Sequence, residues 1–284
     1  MKECLRASVC AGALFFLASA VQAATVRVVE VPSASMKTNV TCSIILPDGY
    51  EAKGARRYPT VYMLHGAGNS HTSFADEVGM AGCDKWNFIG VCPDGAVASW
   101  WFDSPIDPKF RYETFVSKEL VRWIDRNFAT EARKEKRAIT GGSMGGHGAC
   151  WLGFRHRDVF GAIGNIHGGV DFRPFKWQWC IGDRLGWYDK NHELWLKHCC
   201  VYEAQKLRNG DVNLISIVGT ADFFLNCNRQ MHEILLANEV EHIYIEIRGK
   251  DEAYSSHTNE FRRQAEPTVF YYFSNYFTDG KGHL

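Results

Sequence analysis

The residues with the clearest chemical potential are Gly141-Gly142-Ser143-Met144-Gly145-Gly146, which contain the pattern Gly-x-Ser-x-Gly. An apolar stretch, Arg137–Thr140, stops just before it, and a helical pattern over Ala149–Phe154 follows. A serine on such a tight strand-to-helix turn holds its Oγ in the open. The glycines let strand and helix approach without a Cβ clash. The N–H groups of the following helix then point at whatever the hydroxyl attacks.

A serine hydroxyl is a poor nucleophile at its free pKa, so a base and an orienting acid are required. Asp222 follows the apolar run Leu214–Val218 through Gly219-Thr220-Ala221, and His257 follows the run Ile243–Ile247 after a polar loop. The order nucleophile, acid, base makes His257 the expected proton acceptor from Ser143, with Asp222 fixing its tautomer. Asp171, Asp189 and Asp251 are rival acids, but none follows a strand as directly. The expected oxyanion donors are the backbone N–H of Met144 and, from the loop after Leu64, that of Ala67. His147 lies one helical turn beyond Ser143 and is expected to pack beneath the site. His65 is expected to organise the oxyanion loop and to contact substrate. Trp100 and Trp101 are expected to line the acyl or leaving-group site.

The elements that must position these groups alternate in type. Thr25–Val31 and Val40–Leu46 read as strands, each ended by a proline, Pro32 or Pro47. Thr60–Leu64, Phe88–Cys92, Arg137–Thr140, Ala162–Ile166, Leu214–Val218 and Ile243–Ile247 are short apolar runs, as expected of strands buried on both faces. Tyr112–Phe128 carries an apolar face of Phe115, Val116, Leu120, Trp123, Ile124 and Phe128, the mark of a helix. Gln230–Asn238 and Phe261–Phe277 also read as helices, the latter interrupted early by Pro267. This alternation implies an α/β fold with a mainly parallel twisted sheet, helices on both faces and an antiparallel N-terminal edge. A segment at about 168–211 breaks the rhythm with Trp177, Trp179, Trp187 and Trp195, and reads as a packed excursion or a wall of the cleft.

Composition narrows the partners. The 284 residues carry 32 basic and 32 acidic side chains, so no global field favours nucleic acid or an anionic membrane. Residues 1–23 combine Lys2 and Arg6 with an apolar run and the small residues Val21-Gln22-Ala23, which reads as a signal peptide. The apolar run is short for a membrane anchor. The expected mature domain is 24–284, secreted or periplasmic, and disulfides are permitted there. Cys42, Cys92 and Cys150 are expected to be buried thiols, whereas Cys180, Cys199, Cys200 and Cys227 are better bridge candidates. The cysteine spacings do not suit zinc, and no metal or cofactor is implied.

Leu64-His65-Gly66-Ala67-Gly68, Cys92-Pro93-Asp94-Gly95, GGSMGGHGA at 141–149 and His257 before an aromatic terminal helix resemble the Putative esterase family. That family includes esterase D, tributyrin, feruloyl and acetylxylan esterases and the mycolyltransferases. The resemblance covers roughly Thr38 to Phe277. It implies an α/β-hydrolase fold, no metal, and acyl transfer through a serine ester, with Ser143, Asp222 and His257 as triad and Met144 and Ala67 as oxyanion donors. The chain departs from the family near the base. Members often carry a short Pro-Gly-x-His turn followed by an aromatic, whereas here a longer loop, Arg248–Ser256, leads to His257, Thr258 and Asn259. The implied substrate is a small-molecule or carbohydrate-linked ester of acetyl or feruloyl type. An acyltransferase with the same triad, or a silent carbohydrate-binding module on this fold, are the alternatives. The oligomeric state is not legible.

Overall fold

The computed structural model describes residues 23–284; the expected signal segment lies almost wholly outside them. Eight strands form one sheet: β1 (Thr25–Ser33), β2 (Thr38–Leu46), β3 (Thr60–Leu64), β4 (Ile89–Pro93), β5 (Arg137–Gly142), β6 (Ala162–Ile166), β7 (Leu214–Gly219) and β8 (Ile243–Ile247). Their order is β1-β2-β4-β3-β5-β6-β7-β8. β1 and β2 pair antiparallel, β2 meets β4 antiparallel, and every pair from β4 to β8 is parallel.

Strands β3 to β7 are buried along their whole length, which explains their unbroken apolar character. Successive side chains of one strand enter different cores. Tyr62 and Leu64 join the larger core, with Phe115, Leu152 and Leu235, while Val61 and Met63 join the smaller one, with Cys83, Phe270 and Phe273. Helices α1 (Glu77–Trp86) and α8 (Asn259–Asp279) therefore cover one face. The other face is covered by α2, α3 (Met144–Arg155) and α7 (Leu225–Ala237). Helix α2 is continuous over Tyr112–Thr114, a π-wound stretch Phe115–Leu120, and Val121–Asn127.

Two proline expectations are corrected. Pro32 lies inside β1, paired opposite Asn39. It is tolerated because β1 is an edge strand. Pro267 does not interrupt the last helix, which runs unbroken for 21 residues. The ring sits on the exposed side, and the buried Phe261, Val269, Phe270 and Phe273 hold the helix on the sheet across the missing bond. The cysteine expectation is also corrected: Cys180, Cys199, Cys200 and Cys227 are all free thiols. Cys199 and Cys200 are buried and donate to the carbonyls of Trp195 and His147, at 3.2 and 3.3 Å, and Cys227 donates to that of Phe224 at 3.1 Å. Cys180 is exposed.

The excursion carries three short helices, α4 (Ile181–Leu185), α5 (His192–Lys197) and α6 (Cys200–Ala204). It is pinned by the buried Phe172, Ile181, Leu185 and Trp195.

The turn between β5 and α3 depends on bare backbone. A Cβ on Gly145 would stand 1.8 Å from the Leu64 carbonyl oxygen, and one on Gly141 would stand 2.4 Å from the Gly145 carbonyl. Both obstacles are main chain of the central strands or their helix and cannot swing aside. Gly145→Ala should therefore destabilise the fold by about 3 kcal/mol or more. Urea unfolding is the measurement, and a midpoint equal to the parent's would contradict the packing described here.

Candidate active site

All the chemistry-bearing residues sit where strands end. His65 and Ala67 follow β3, Ser143 follows β5, His167 follows β6, Asp222 follows β7, and His257 lies between β8 and α8. They share the carboxyl edge of the sheet, where ligands bind in open α/β sheets.

Ser143 has φ 60° and ψ −120°, a conformation that costs a non-glycine residue energy. It is held there by its own N–H, which donates to Ile166 O at 3.1 Å, and by its carbonyl, which accepts from His147 and Gly169. The side chain is left partly exposed. Its Oγ lies 2.7 Å from His257 Nε2, and His257 Nδ1 lies 2.9 Å from Asp222 Oδ2. Asp222 Oδ1 accepts from the Phe224 N–H at 2.7 Å, which sets the carboxylate's orientation.

The electrostatics fix the protons. Burial alone would push the Asp222 carboxyl up, but the His167 and His257 imidazoles beside it outweigh burial and hold it at about 2. Ionised Asp222 can only accept, so His257 Nδ1 carries the hydrogen and Nε2 is left to accept from Ser143.

The long loop before His257 closes without displacing the ring. Ser255 O accepts from the Ala221 N–H at 2.8 Å, which ties the loop to the turn bearing Asp222. Gly219 permits that approach, since a Cβ there would lie 2.0 Å from Ser255 O. Thr258 caps α8 by accepting from Phe261 N at 3.1 Å, and its hydroxyl also donates to Ala253 O. Phe223 packs on the His257 ring at 4.3 Å and His167 stacks on its other neighbourhood at 4.2 Å.

The backbone N–H groups of Met144 and Ala67 face no protein acceptor among the described residues. Met144 opens α3, where the helix dipole adds to the attraction for a negative oxygen. Ala67 lines the cleft beside Ser143.

The three side chains expected to touch substrate are placed elsewhere. His65 is buried, accepts at Nε2 from Gly95 N at 2.7 Å, and so carries its hydrogen on Nδ1, which donates to Gly66 O at 2.8 Å. It organises the oxyanion loop and does not line the cleft. Trp101 is fully buried over His65 and donates from Nε1 to His65 O at 3.2 Å. Trp100 is equally buried and donates to Trp179 O at 3.0 Å, joining the loop after β4 to the excursion. His147 lies beneath the site, with its ring nitrogens 3.1 and 2.8 Å from the carbonyls of Trp100 and His198. Burial pushes it down to about 4, so it is neutral and donates to only one of them.

The cleft itself measures 230 Å³. This is below the roughly 300–1,000 Å³ of drug-sized ligand sites, and suits an ester group with a short arm on either side. One wall is aromatic, Trp179 stacked on Phe223 at 5.7 Å with planes 19° apart. The other is polar, with Asn69, Thr258, Asn259 and Arg262. Arg262 is anchored from below by Asp76 at 2.8 Å and by Glu266, which joins α8 to the start of α1.

His167 follows β6 at the same edge of the sheet. It is buried, and its Nδ1 lies 3.3 Å from Asp222 Oδ2 off the line of a hydrogen bond, so it has no partner. His167, Asp222 and His257 bring ligand-type atoms within 4.8 Å of one another. His257 spends Nδ1 on Asp222 and Nε2 on Ser143, so a hydrogen-bonded relay accounts for the cluster.

A central parallel sheet with helices on both faces, a strained serine after its middle strand and an acid–imidazole pair on the following turns define an α/β-hydrolase. The family comparison agrees. The model of the family described as Putative esterase matches residues 33–265. The chain therefore belongs to that family. Esterase Rv1288 of Mycobacterium tuberculosis is 33% identical over 140 residues, covering 48% of this chain and 30% of that protein. An endo-1,4-beta-xylanase/feruloyl esterase of Xylanibacter ruminicola is 36% identical over 145 residues, covering 46% of this chain and 20% of that protein. The matches thus span less than a third of these relatives. Among solved structures, a ferulic acid esterase superposes with TM-score 0.75 at 20% identity, covering 90% of this chain and all of the other. An S-formylglutathione hydrolase from Agrobacterium tumefaciens gives 0.74 at 17% identity, covering 90% and 96%. At those identities the likeness is one of fold.

His167 generates a prediction about acid stability. Burial pushes its imidazole down to about 4, against the pull of Asp222. An unfolded imidazole takes its proton near pH 6.5. Between those values the unfolded chain binds the extra proton, so stability is full above the window and is lost as pH falls through it. The wild type should lose up to about 3 kcal/mol more than His167→Asn between about pH 7 and about pH 4. Urea melts across that range measure it, and parallel curves for the two proteins would refute the buried neutral ring.

Proposed function

We propose that the protein is a secreted or periplasmic serine carboxylesterase acting on short-chain or carbohydrate-linked acyl esters through an acyl-serine. The observation that carries this reading is the unbroken line Ser143 Oγ, His257 Nε2, His257 Nδ1, Asp222 Oδ2, at 2.7 and 2.9 Å, on the floor of an open cleft.

In this mechanism Ser143 Oγ attacks the ester carbonyl as its proton passes to His257 Nε2. Asp222 stays ionised and stabilises the imidazolium across Nδ1. The carbonyl oxygen gains negative charge and is held by the N–H groups of Met144 and Ala67. The intermediate collapses when His257 returns the proton to the departing alcohol oxygen, leaving an acyl group on Ser143. Water then enters, loses its proton to His257 and releases the acid. The aromatic wall of Trp179 and Phe223 suits a flat or apolar acyl arm, and the polar wall suits a hydroxylated one. The names of a ferulic acid esterase and a xylanase/feruloyl esterase among the similar proteins support the carbohydrate-linked class.

A fluorophosphonate probe should label the folded protein at one site, and Ser143→Ala should abolish the label. With p-nitrophenyl acetate or methyl ferulate, Ser143→Ala and His257→Ala should each reduce kcat by about 1,000-fold or more. Asp222→Asn, which leaves the imidazole in the wrong tautomer, should cost about 10,000-fold if it follows the serine-protease precedent. A folded wild-type protein that neither labels nor hydrolyses either ester would overturn the reading.

A further inference from the structure

Four of the nine indoles are tied into the fold through their N–H groups. Trp100, Trp101, Trp151 and Trp195 each donate their N–H to a protein acceptor. Trp177 and Trp187 differ. They are 73% and 56% exposed, their ring centroids lie 5.4 Å apart with planes at 42°, and neither N–H has a protein partner among the described residues. Leaving two indoles in water forgoes the burial by which large apolar side chains stabilise a fold.

The pair is nonetheless held in place. Gly186, at φ 74°, turns the chain just before Trp187, and its carbonyl accepts from the buried Trp195 indole at 2.8 Å. The Trp187 carbonyl accepts from Asn191 Nδ2 at 2.9 Å and Lys190 N at 3.1 Å. The Trp187 ring lies over Gly182, where a Cβ would meet it at 3.1 Å. Lys176 beside the pair lies 3.8 Å from Asp189 and 4.4 Å from the centre of the Tyr188 ring, so its charge is offset by a carboxylate.

The pair is close in sequence to the wall of the cleft. Trp177 precedes Trp179 by two residues, so their Cα atoms are at most about 7.6 Å apart. Trp179 forms the aromatic wall, stacked on Phe223, which packs on the base His257. Two exposed, tilted indoles in contact, with free N–H donors, suit an uncharged ring with apolar C–H faces and hydroxyl edges. We infer that Trp177 and Trp187 form an outer subsite that stacks the sugar rings of a neutral polysaccharide carrying the ester into the cleft. This rests on the esterase reading for the identity of the bound chain, but it is tested separately.

The binding test uses the full chain with Ser143→Ala, titrated calorimetrically with ester-free xylohexaose. Adding Trp177→Ala and Trp187→Ala together should weaken Kd by about tenfold or more, as removal of aromatic anchors does, while a Trp177→Tyr, Trp187→Tyr pair should recover most of the affinity. On the active chain the alanine pair should change kcat/KM for p-nitrophenyl acetate by less than about twofold, while KM for feruloylated arabinoxylan rises at nearly constant kcat. Far-UV circular dichroism controls for folding. The inference is overturned if the parent does not bind xylohexaose, if the alanine pair binds it as the parent does, or if sedimentation shows that the pair instead holds two copies of the chain together. Failure of the wild type to hydrolyse p-nitrophenyl acetate would remove the esterase reading and leave the calorimetric result standing.

Discussion

A serine held at φ 60° between two glycines is the constraint on which the rest of the site depends. The strained turn is possible only because Gly141 and Gly145 bring β5, α3 and the end of β3 into main-chain contact. That contact puts Met144 N at the mouth of a helix and Ala67 N on the adjoining loop, so one packing event fixes both Ser143 and the two backbone N–H groups that the proposed mechanism uses. Its energetic cost is spread over the most deeply buried part of the sheet, where displacement is hardest.

The second requirement is that a base borne on a loop be as well placed as a nucleophile borne on a strand. Apart from one 3-10 turn at Glu252–Tyr254, residues 248–258 are irregular. The Ser255-to-Ala221 main-chain bond joins the base's loop to the acid's turn, so His257 and Asp222 move as one body relative to the sheet. Phe223 and His167 then confine the imidazole, and the Thr258 cap starts α8 directly behind it.

Legibility in the sequence followed the range of the interaction that decides each feature. The inner parallel strands were legible because burial on both faces leaves an uninterrupted apolar run, and Thr60–Leu64 and Ala162–Ile166 carry the expected bounds; Ile243–Ile247 does too, although this edge strand is only half-buried. The order of Ser143, Asp222 and His257 was legible because each follows a strand. Helix α1 was not, since its Gly79 and Gly82 weaken the periodic signal and are present for contacts with Phe74 and Phe270 that only the tertiary fold reveals. Pro32 and Pro267 misled because a proline's effect depends on whether its missing N–H faces solvent or a ladder. The cysteines of the excursion misled because a thiol can be satisfied by a backbone carbonyl as well as by another sulfur.

Trp100 and Trp101 show why sequence adjacency to a site is a poor guide to contact with substrate. Both adopt positive φ, at 58° and 61°, which is costly for bulky side chains and turns the two indoles into the core. Gly95 and Gly148 make room for Trp101, since a Cβ on either would fall 2.4 and 2.5 Å from its ring. What the pair provides is indirect. Trp101 fixes His65 and hence the oxyanion loop, and Trp100 grips the Trp179 carbonyl and hence the aromatic wall. The strain is thus placed where it rigidifies both sides of the cleft at once. The aromatic wall of the cleft comes from Trp179 and Phe223, one supplied by the excursion and the other by the turn that carries Asp222. A single side chain, Phe223, touches both that wall and the His257 ring, and so ties the shape of the cleft to the Ser143–His257–Asp222 line.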